Sequence, residues 1–149
     1  MKKSIKKNIV KKVGAFLTAG IMTMGIAIPT IGANTYHHFF DSTATINSST
    51  TKTTSNFKSS KETHMVQLHP TKVSKSGAIY AHRHKKGVIF WSETHYYTFN
   101  ISTTQYYQSG KSSALSGTYY YSLSNYDKDS TVSSGAVITF NQGFVKEEG

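Results

Sequence analysis

Aromatic rings, imidazoles and a carboxylate recur along one short stretch of the sequence, residues 78–95. The segment Lys85-Lys86-Gly87 predicts a hairpin turn, because glycine accepts the backbone conformations that tight turns require. With an even-length loop, alternate residues of the two strands lie on the same face of the hairpin. One face is then predicted to carry Tyr80, His82 and His84 from the first strand and Ile89, Trp91 and Glu93 from the second.

Three kinds of chemistry are open to this predicted face. His82 and His84 place two imidazoles on one side of a strand with Glu93 in reach, which is a weak metal-site pattern. Trp91 and Tyr80 offer rings on which a ligand ring could stack, although cross-strand aromatic pairing is the alternative. Catalysis by Glu93 and a histidine lacks any paired-carboxylate, nucleophile-elbow or Ser-His-Asp pattern. We therefore predict a non-enzymatic ligand-binding face with no cofactor and no metal.

The opposite face of the hairpin is predicted to belong to the core. Arg83 is on this face, but it is close enough to the predicted turn for its charged end to reach water. His95 is expected to join the ligand-binding face if no bulge interrupts the second strand. The residues predicted on the core face are Ile79, Ala81, Arg83, Val88, Phe90 and Ser92.

Three fixed positive charges surround the predicted turn, on Arg83, Lys85 and Lys86. Outside a cell, such a cluster can bind teichoic acids, phospholipid headgroups or an acidic protein surface. A solubilising turn is the alternative, because runs of charge are commonly solvated. The predicted partners are therefore a cell-wall polymer, an anionic lipid or a protein.

The overall charge of the chain is concentrated at its N-terminus. The sequence has 17 basic and 7 acidic residues, and six lysines lie within the first twelve positions. Without that segment, 11 basic and 7 acidic residues remain, a net charge of +4. This small excess, with no nucleic-acid-binding motif, argues against nucleic acid as a partner. The absence of cysteine from the sequence excludes a disulfide scaffold, a thiolate zinc site and a cysteine nucleophile.

Residues 1–33 have the layout of a secretory signal peptide, and the long lysine-rich start is typical of Gram-positive bacteria. An apolar stretch from Val13 to Ile28 follows the lysines and precedes Pro29 and a small residue, Ala33. The stretch is shorter than the ~20 residues that span a bilayer, although an uncleaved membrane anchor is the alternative. We predict cleavage after Ala33 and a secreted, extracellular product, in contact with a membrane only through this segment.

The remaining chain divides by composition into two parts. Residues 34–63 combine an aromatic start with a Ser/Thr-rich segment at 42–63, which we interpret as a linker. Threonine also favours strands, so loosely held strands are the alternative. Residues 64–149 alternate apolar and polar side chains between glycines, which predicts antiparallel strands and short turns. The expected fold is all-β, a small antiparallel sandwich or meander of about six strands.

The predicted signal peptide, the lack of cysteine and the short aromatic, Ser/His-rich β chain define the overall make-up of this protein. In that make-up it is similar to small secreted bacteriocins of the lactococcin-972 type. We expect a secreted non-enzymatic β domain that binds a cell-surface or extracellular ligand. The alternative function is that of a secreted, bacteriocin-like antibacterial or toxin effector.

Overall fold

The computed structural model describes residues 34–60, 62–128 and 131–149, so the predicted signal peptide and its cleavage site lie outside the described residues. Within these ranges the protein is all-β, as predicted, and no helix is present that could cross a membrane. The described residues form eleven strands: β1 (Asn34–His38), β2 (Ala44–Ile46), β3 (Lys52–Thr53), β4 (Phe57–Ser59), β5 (Thr63–Lys75), β6 (Gly77–Lys86), β7 (Trp91–Ile101), β8 (Tyr107–Gln108), β9 (Ser112–Ser113), β10 (Gly117–Ser124) and β11 (Val137–Glu148).

The strands form two antiparallel sheets. The large sheet has six strands, in the order β1-β11-β5-β8, with β2 also paired to β11 and β9 to β5. The small sheet has five, in the order β3-β10-β6-β7, with β4 also paired to β10. Among these pairs only β6 and β7 follow one another in the chain, so the order is not that of a meander.

One hydrophobic core contains side chains from both sheets. In β6 the buried residues Ile79 and Ala81 alternate with the less buried Tyr80, which confirms the predicted inward face of this strand at those positions. In β11 the fully buried Ile138 and Phe140 follow the same period of two. Each sheet therefore turns one face to the shared core and leaves its other face free to carry different chemistry.

The Ser/Thr-rich segment at 42–63 belongs to the sheets, which corrects its interpretation as a linker. Within it, β2 pairs with β11, and β3 and β4 pair with β10. Its apolar residues Ala44, Ile46 and Phe57 are all buried, so three anchoring side chains hold an otherwise polar segment against partners far along the chain. These strands, together with the two-residue strands β8 and β9, raise the strand number above the predicted six.

The central position of β6 in the small sheet organises the candidate site. β6 pairs with β10 on one side and with β7 on the other. His82 is thereby opposite Ser122 on β10 and Tyr96 on β7, and His84 is opposite Tyr120 and Glu93. Since directly opposite residues share a face, three strands contribute side chains to one surface.

Candidate ligand-binding face

A row of rings crosses the outer face of the small sheet, on the side away from the core. The structure brings all five predicted residues to this face, since the odd-numbered Trp91 and Glu93 of β7 pair with even-numbered residues of β6. Ring centroids of neighbouring members are 4.5–6.4 Å apart, and His82 has three such neighbours, Tyr80, Tyr96 and His84. We call this set the ring row; it consists of Tyr80, His82, Tyr96, His84, Tyr120 and Trp91.

The end of the ring row nearest the hairpin turn is the most tightly stacked. His84 and Tyr120 are parallel at 4.5 Å, and Trp91 meets the same Tyr120 edge-on at 4.8 Å. The His84 Nε2 atom is 3.1 Å from the Ser122 hydroxyl. Burial lowers the pKa of His84, and His82 lowers it further, while Glu93 opposes the shift. His84 is therefore mainly neutral at pH 7, and its ring is half-buried against Tyr120.

His82 is held firmly within the face and is only 3% exposed. Its Nε2 donates to the carbonyl oxygen of Tyr126 at 3.0 Å, and its Nδ1 contacts a carboxylate oxygen of Glu93. Both ring nitrogens are thus occupied, so neither is free to ligate a metal together with His84. The contact also fixes the position of Glu93, the exposed carboxylate beside the row.

A bulge in β7 decides which rings join the row. Arg83 pairs with His95, but the next residue, His84, pairs with Glu93, so Thr94 is the extra residue. As a result His95 lies on the inner side, edge-on to Tyr97 at 4.7 Å, and Tyr96 takes the outer position opposite His82. Tyr96 and Tyr120 were not predicted on this face, because the sequence of the hairpin reveals neither the bulge in β7 nor the pairing of β6 with β10.

Arg83 was predicted to contact an anionic surface, and this prediction is wrong. The residue is 7% exposed and faces inward. Its Nε donates to the Thr94 hydroxyl at 3.0 Å, and its Nη1 donates to the Ser112 hydroxyl at 3.1 Å and to the Ser113 carbonyl at 3.0 Å. The guanidinium also lies 5.7 Å from the centre of the Tyr119 ring. Arg83 therefore ties the hairpin to β9 of the large sheet.

The hairpin turn also differs from its prediction. Lys85 and Lys86 are the last residues of β6 and pair with Ser92 and Trp91, so the loop is residues 87–90. The predicted core residues Val88 and Phe90, and Ile89 of the predicted ligand face, are instead exposed in this loop. A side chain on Gly87 would come within 2.8 Å of the Phe90 carbonyl oxygen, which explains a glycine there without a left-handed conformation.

The two lysines at this end differ in their surroundings. Lys86 is exposed, next to the loop. Lys85 is half-buried, with its ammonium 5.7 Å from the centre of the Tyr119 ring. Of the three cations predicted to bind an anionic surface, Lys86 is thus the most accessible, Lys85 is partly accessible and Arg83 is enclosed.

Sequence analysis also missed a buried polar cluster inside the core. His64 of β5 is fully buried, and its Nδ1 is 2.9 Å from the Tyr121 hydroxyl. Its Nε2 is 3.0 Å from the Ser59 hydroxyl and 3.5 Å from a carboxylate oxygen of Glu147, which binds His37 at 2.5 Å. His64 lies on the same face of β5 as Val66 and Leu68, two residues apart along the strand. This alternation with two apolar residues was the one local sign that His64 is buried.

The buried polar cluster does not have the geometry of a catalytic triad. In a triad, the nucleophile and the acid contact opposite nitrogens of the histidine. Here Ser59 and Glu147 both face Nε2 of His64, while the Tyr121 hydroxyl occupies Nδ1. Ser59 is itself buried, so a substrate has no path to its hydroxyl. The cluster instead joins β4 and β10 of the small sheet to three strands of the large sheet, which are β1, β5 and β11.

Acid should destabilise the fold through Glu147. Burial alone would raise the pKa of this carboxyl, but hydrogen bonds from His37 and His64 lower it to about 2, from an ordinary 4.5. A carboxyl whose pKa is lower in the folded state stabilises the fold above pH ~4.5, and this stability disappears as the pH falls towards ~2. The loss attributable to Glu147 is about 3 kcal/mol, so urea unfolding of Glu147→Gln should show a flatter pH profile.

Glu148→Gln is the matched control for this titration. Glu148 binds Lys111 and Lys146, and these hydrogen bonds also lower its pKa to about 2. Solvent screens the two ion pairs of Glu148. Glu148→Gln should therefore change the pH profile of stability less than Glu147→Gln does, and the change should shrink in added salt. If the two variants changed the pH profile equally, the buried network of Glu147 would stabilise the fold no more than the exposed ion pairs of Glu148.

No family model and no curated protein matches this chain. Within the described ranges no group of three or more histidine, aspartate and glutamate residues is arranged to hold a metal ion. The site must therefore be interpreted from its own geometry, which is an aromatic outer face beside a cationic hairpin end.

Proposed function

We propose that the protein is a secreted, non-enzymatic β domain that binds a cell-surface or extracellular ligand through the ring row. The observation that carries the proposal is the row itself, six rings on the outer face of a sheet whose inner face already supplies the core. A row of this kind does not serve the core, and half-buried Tyr and Trp rings keep both an apolar surface and a polar edge for a ligand.

A cell-wall polymer is the ligand class that this surface suits best. Sugar rings have apolar faces that stack on Trp91 and Tyr120, while the exposed carboxylate of Glu93 and the hydroxyl of Tyr96 can accept hydrogen bonds from sugar hydroxyls. Lys86 adds a positive charge at the same end, which favours polymers with phosphate groups. Stacking supplies the affinity, and the charge adds a component that depends on salt.

Sedimentation with purified Gram-positive cell walls tests this function. Trp91→Ala and Tyr120→Ala should each weaken binding by about three- to tenfold, because each removes one stacking ring. Tyr106→Ala is the matched control, since Tyr106 is exposed outside the small sheet and should leave binding unchanged. The proposal fails if the walls do not bind the parent protein at low salt, or if the three variants bind alike.

Processing at the N-terminus is a separate expectation of the same proposal. The lysine-rich, apolar and Ile31-Gly32-Ala33 segments predict a product that begins at Asn34. N-terminal sequencing of the protein from culture medium should therefore start with Asn34. A product that keeps Met1 and stays with the membrane fraction would contradict secretion.

An antibacterial effector is the second candidate, and one observation favours it. The loop at residues 87–90 exposes apolar side chains next to Lys86, a combination found in proteins that attack anionic bacterial membranes. Growth inhibition by the secreted protein decides between the candidates. Clearing of a bacterial lawn supports the effector, whereas wall binding without inhibition supports the binding domain.

A further inference from the structure

Three consecutive apolar side chains stand in solvent at the tip of the β6–β7 hairpin. Val88 is fully exposed, Ile89 is 79% exposed and Phe90 is 76% exposed. The backbone beneath them is closed by a hydrogen bond of 2.8 Å from the Gly87 amide to the Phe90 carbonyl oxygen. We call residues 87–90 the apolar tip.

The apolar tip contributes nothing to the hydrophobic core. None of its side chains belongs to the core cluster, although that cluster draws on most strands of both sheets. Turns ordinarily carry small or polar residues, and apolar groups left in water oppose solubility. Elsewhere in the described ranges the large exposed apolar residues, such as Leu115 and Val132, are not adjacent in sequence. A contiguous apolar tip therefore indicates a surface that is covered when the protein acts.

The surroundings of the apolar tip indicate what covers it. Lys86, the residue before the tip, is exposed, and Lys85 directly precedes Lys86 in β6. Lys58, exposed on β4, pairs with Thr118 of β10, one residue from the position opposite Lys85. The nearest acid on the hairpin, Glu93, is bound to His82. Cations thus lie behind the apolar side chains, where the headgroups of an anionic membrane would be.

Trp91 completes this arrangement. It follows Phe90 directly and is half-buried at the base of the tip. Tryptophan favours the level of lipid headgroups, with an apolar tip below it in the acyl region and lysine ammonium groups above it. Trp91 pairs with Lys86 across the hairpin, so an aromatic and a cationic side chain lie together directly behind the apolar tip.

We propose that the apolar tip inserts into the interface of an anionic phospholipid bilayer and docks the protein on a membrane surface. The proposal shares with the proposed function the extracellular location and two neighbouring residues, Trp91 and Lys86, whereas the apolar side chains of Val88, Ile89 and Phe90 belong to the docking surface alone. The membrane supplies apolar contacts for Val88, Ile89 and Phe90 and anionic headgroups for Lys85 and Lys86.

Vesicle binding of the protein recovered from culture medium tests this docking. The probes are vesicles of phosphatidylglycerol with phosphatidylcholine, and of phosphatidylcholine alone. The parent protein should bind the anionic vesicles more tightly, and the fluorescence of Trp91, the only tryptophan of the chain, should shift to shorter wavelength. Phe90→Ser and Ile89→Ser should each weaken binding by about tenfold, and Lys86→Gln by about fivefold.

Val132→Ser is the matched control. Val132 is an exposed apolar residue near the opposite end of β10, and its loss should leave vesicle affinity unchanged. All variants share one N-terminus, so their differences isolate the tip. The melting temperatures of the tip variants should stay close to that of the parent, because the substituted side chains are at least three-quarters exposed.

Three results would overturn the docking proposal. One is binding to anionic vesicles that Phe90→Ser and Ile89→Ser leave unchanged, and another is the absence of any binding at low salt. A third is a dimer of the parent protein that Ile89→Ser dissociates, because a second copy would then cover the tip. Failure of the proposed function is distinguishable, since Phe90→Ser and Ile89→Ser should still bind cell walls, and Tyr120→Ala, which changes only the ring row, should still bind vesicles.

Discussion

Replacing Tyr121 with alanine should lower the free energy of unfolding by about 4 kcal/mol, the largest effect expected of any side chain discussed. Tyr121 is fully buried, and its ring is parallel to that of Phe57 at 6.3 Å. Its hydroxyl meets Nδ1 of His64 at 2.9 Å, and burial raises the pKa of Tyr121, so the hydroxyl stays neutral. Truncation removes the packing between the sheets and leaves a buried histidine nitrogen unpaired. Chemical denaturation at pH 7 measures the loss.

Two neighbouring variants separate the contributions. Tyr121→Phe removes only the hydroxyl and should cost about 1–2 kcal/mol, the cost of an unpaired buried polar atom. Tyr120→Ala removes the adjacent ring from the outer face and should cost less than about 1.5 kcal/mol, since Tyr120 is only half-buried. If Tyr120→Ala destabilised the protein as much as Tyr121→Ala, the assignment of Tyr121 to the core face of β10 and of Tyr120 to its outer face would be wrong.

Arg83→Ala should destabilise the protein by about 3–4 kcal/mol and should not act chiefly on binding. Hydrogen bonds from a charged donor contribute more than neutral ones, and Arg83 makes three, one to Thr94 and two to β9. Its removal leaves the Ser113 carbonyl without this donor and empties the space beside the Tyr119 ring. The midpoint of urea unfolding should fall accordingly.

Lys86→Ala is the control for Arg83, because it removes a positive charge three residues away at an exposed position. Its free energy of unfolding should stay within about 0.5 kcal/mol of the parent value. An Arg83 variant that unfolds like the Lys86 variant but loses affinity for anionic surfaces would restore Arg83 to the surface role that the sequence suggested.

The fold class and one face of the hairpin were predictable because both depend on a local period of two. Alternation along residues 79–84 separates Ile79 and Ala81 from Tyr80 and His82 whatever their partners are. The pairing of His84 with Glu93 needs only an even-length loop, and the four-residue loop at 87–90 satisfies that condition. Five ring-row and carboxylate residues could therefore be placed together from the sequence alone.

The hairpin turn could not be placed, because its position contradicts the usual pattern of polar turns. Val88 and Phe90 have strand-forming side chains, so alternation assigns them to the core. The structure has the turn there nonetheless, since Lys85 and Lys86 continue the pairing of β6 with β7. This departure from the folding pattern is the feature on which the membrane proposal rests.

The buried polar cluster could not be predicted from the sequence for a different reason. Its members come from strands far apart in the chain: His37 and Glu147, for example, are separated by 110 positions. Nothing local to either residue signals the other, and only the pairing of β1 with β11 brings them together. The Ser/Thr-rich segment is similar, because β4 owes its place to pairing with β10.

Mapping the ligand contact by NMR tests the central claim most directly. Soluble fragments of a Gram-positive cell wall would be titrated into the isotope-labelled protein. The account predicts shifts at the Trp91 indole, the Tyr120 ring and the His84 ring, with residues of the large sheet unchanged. Shifts confined to the large sheet, or no shifts with fragments of walls that bind the protein in sedimentation, would contradict the ring row as the binding surface.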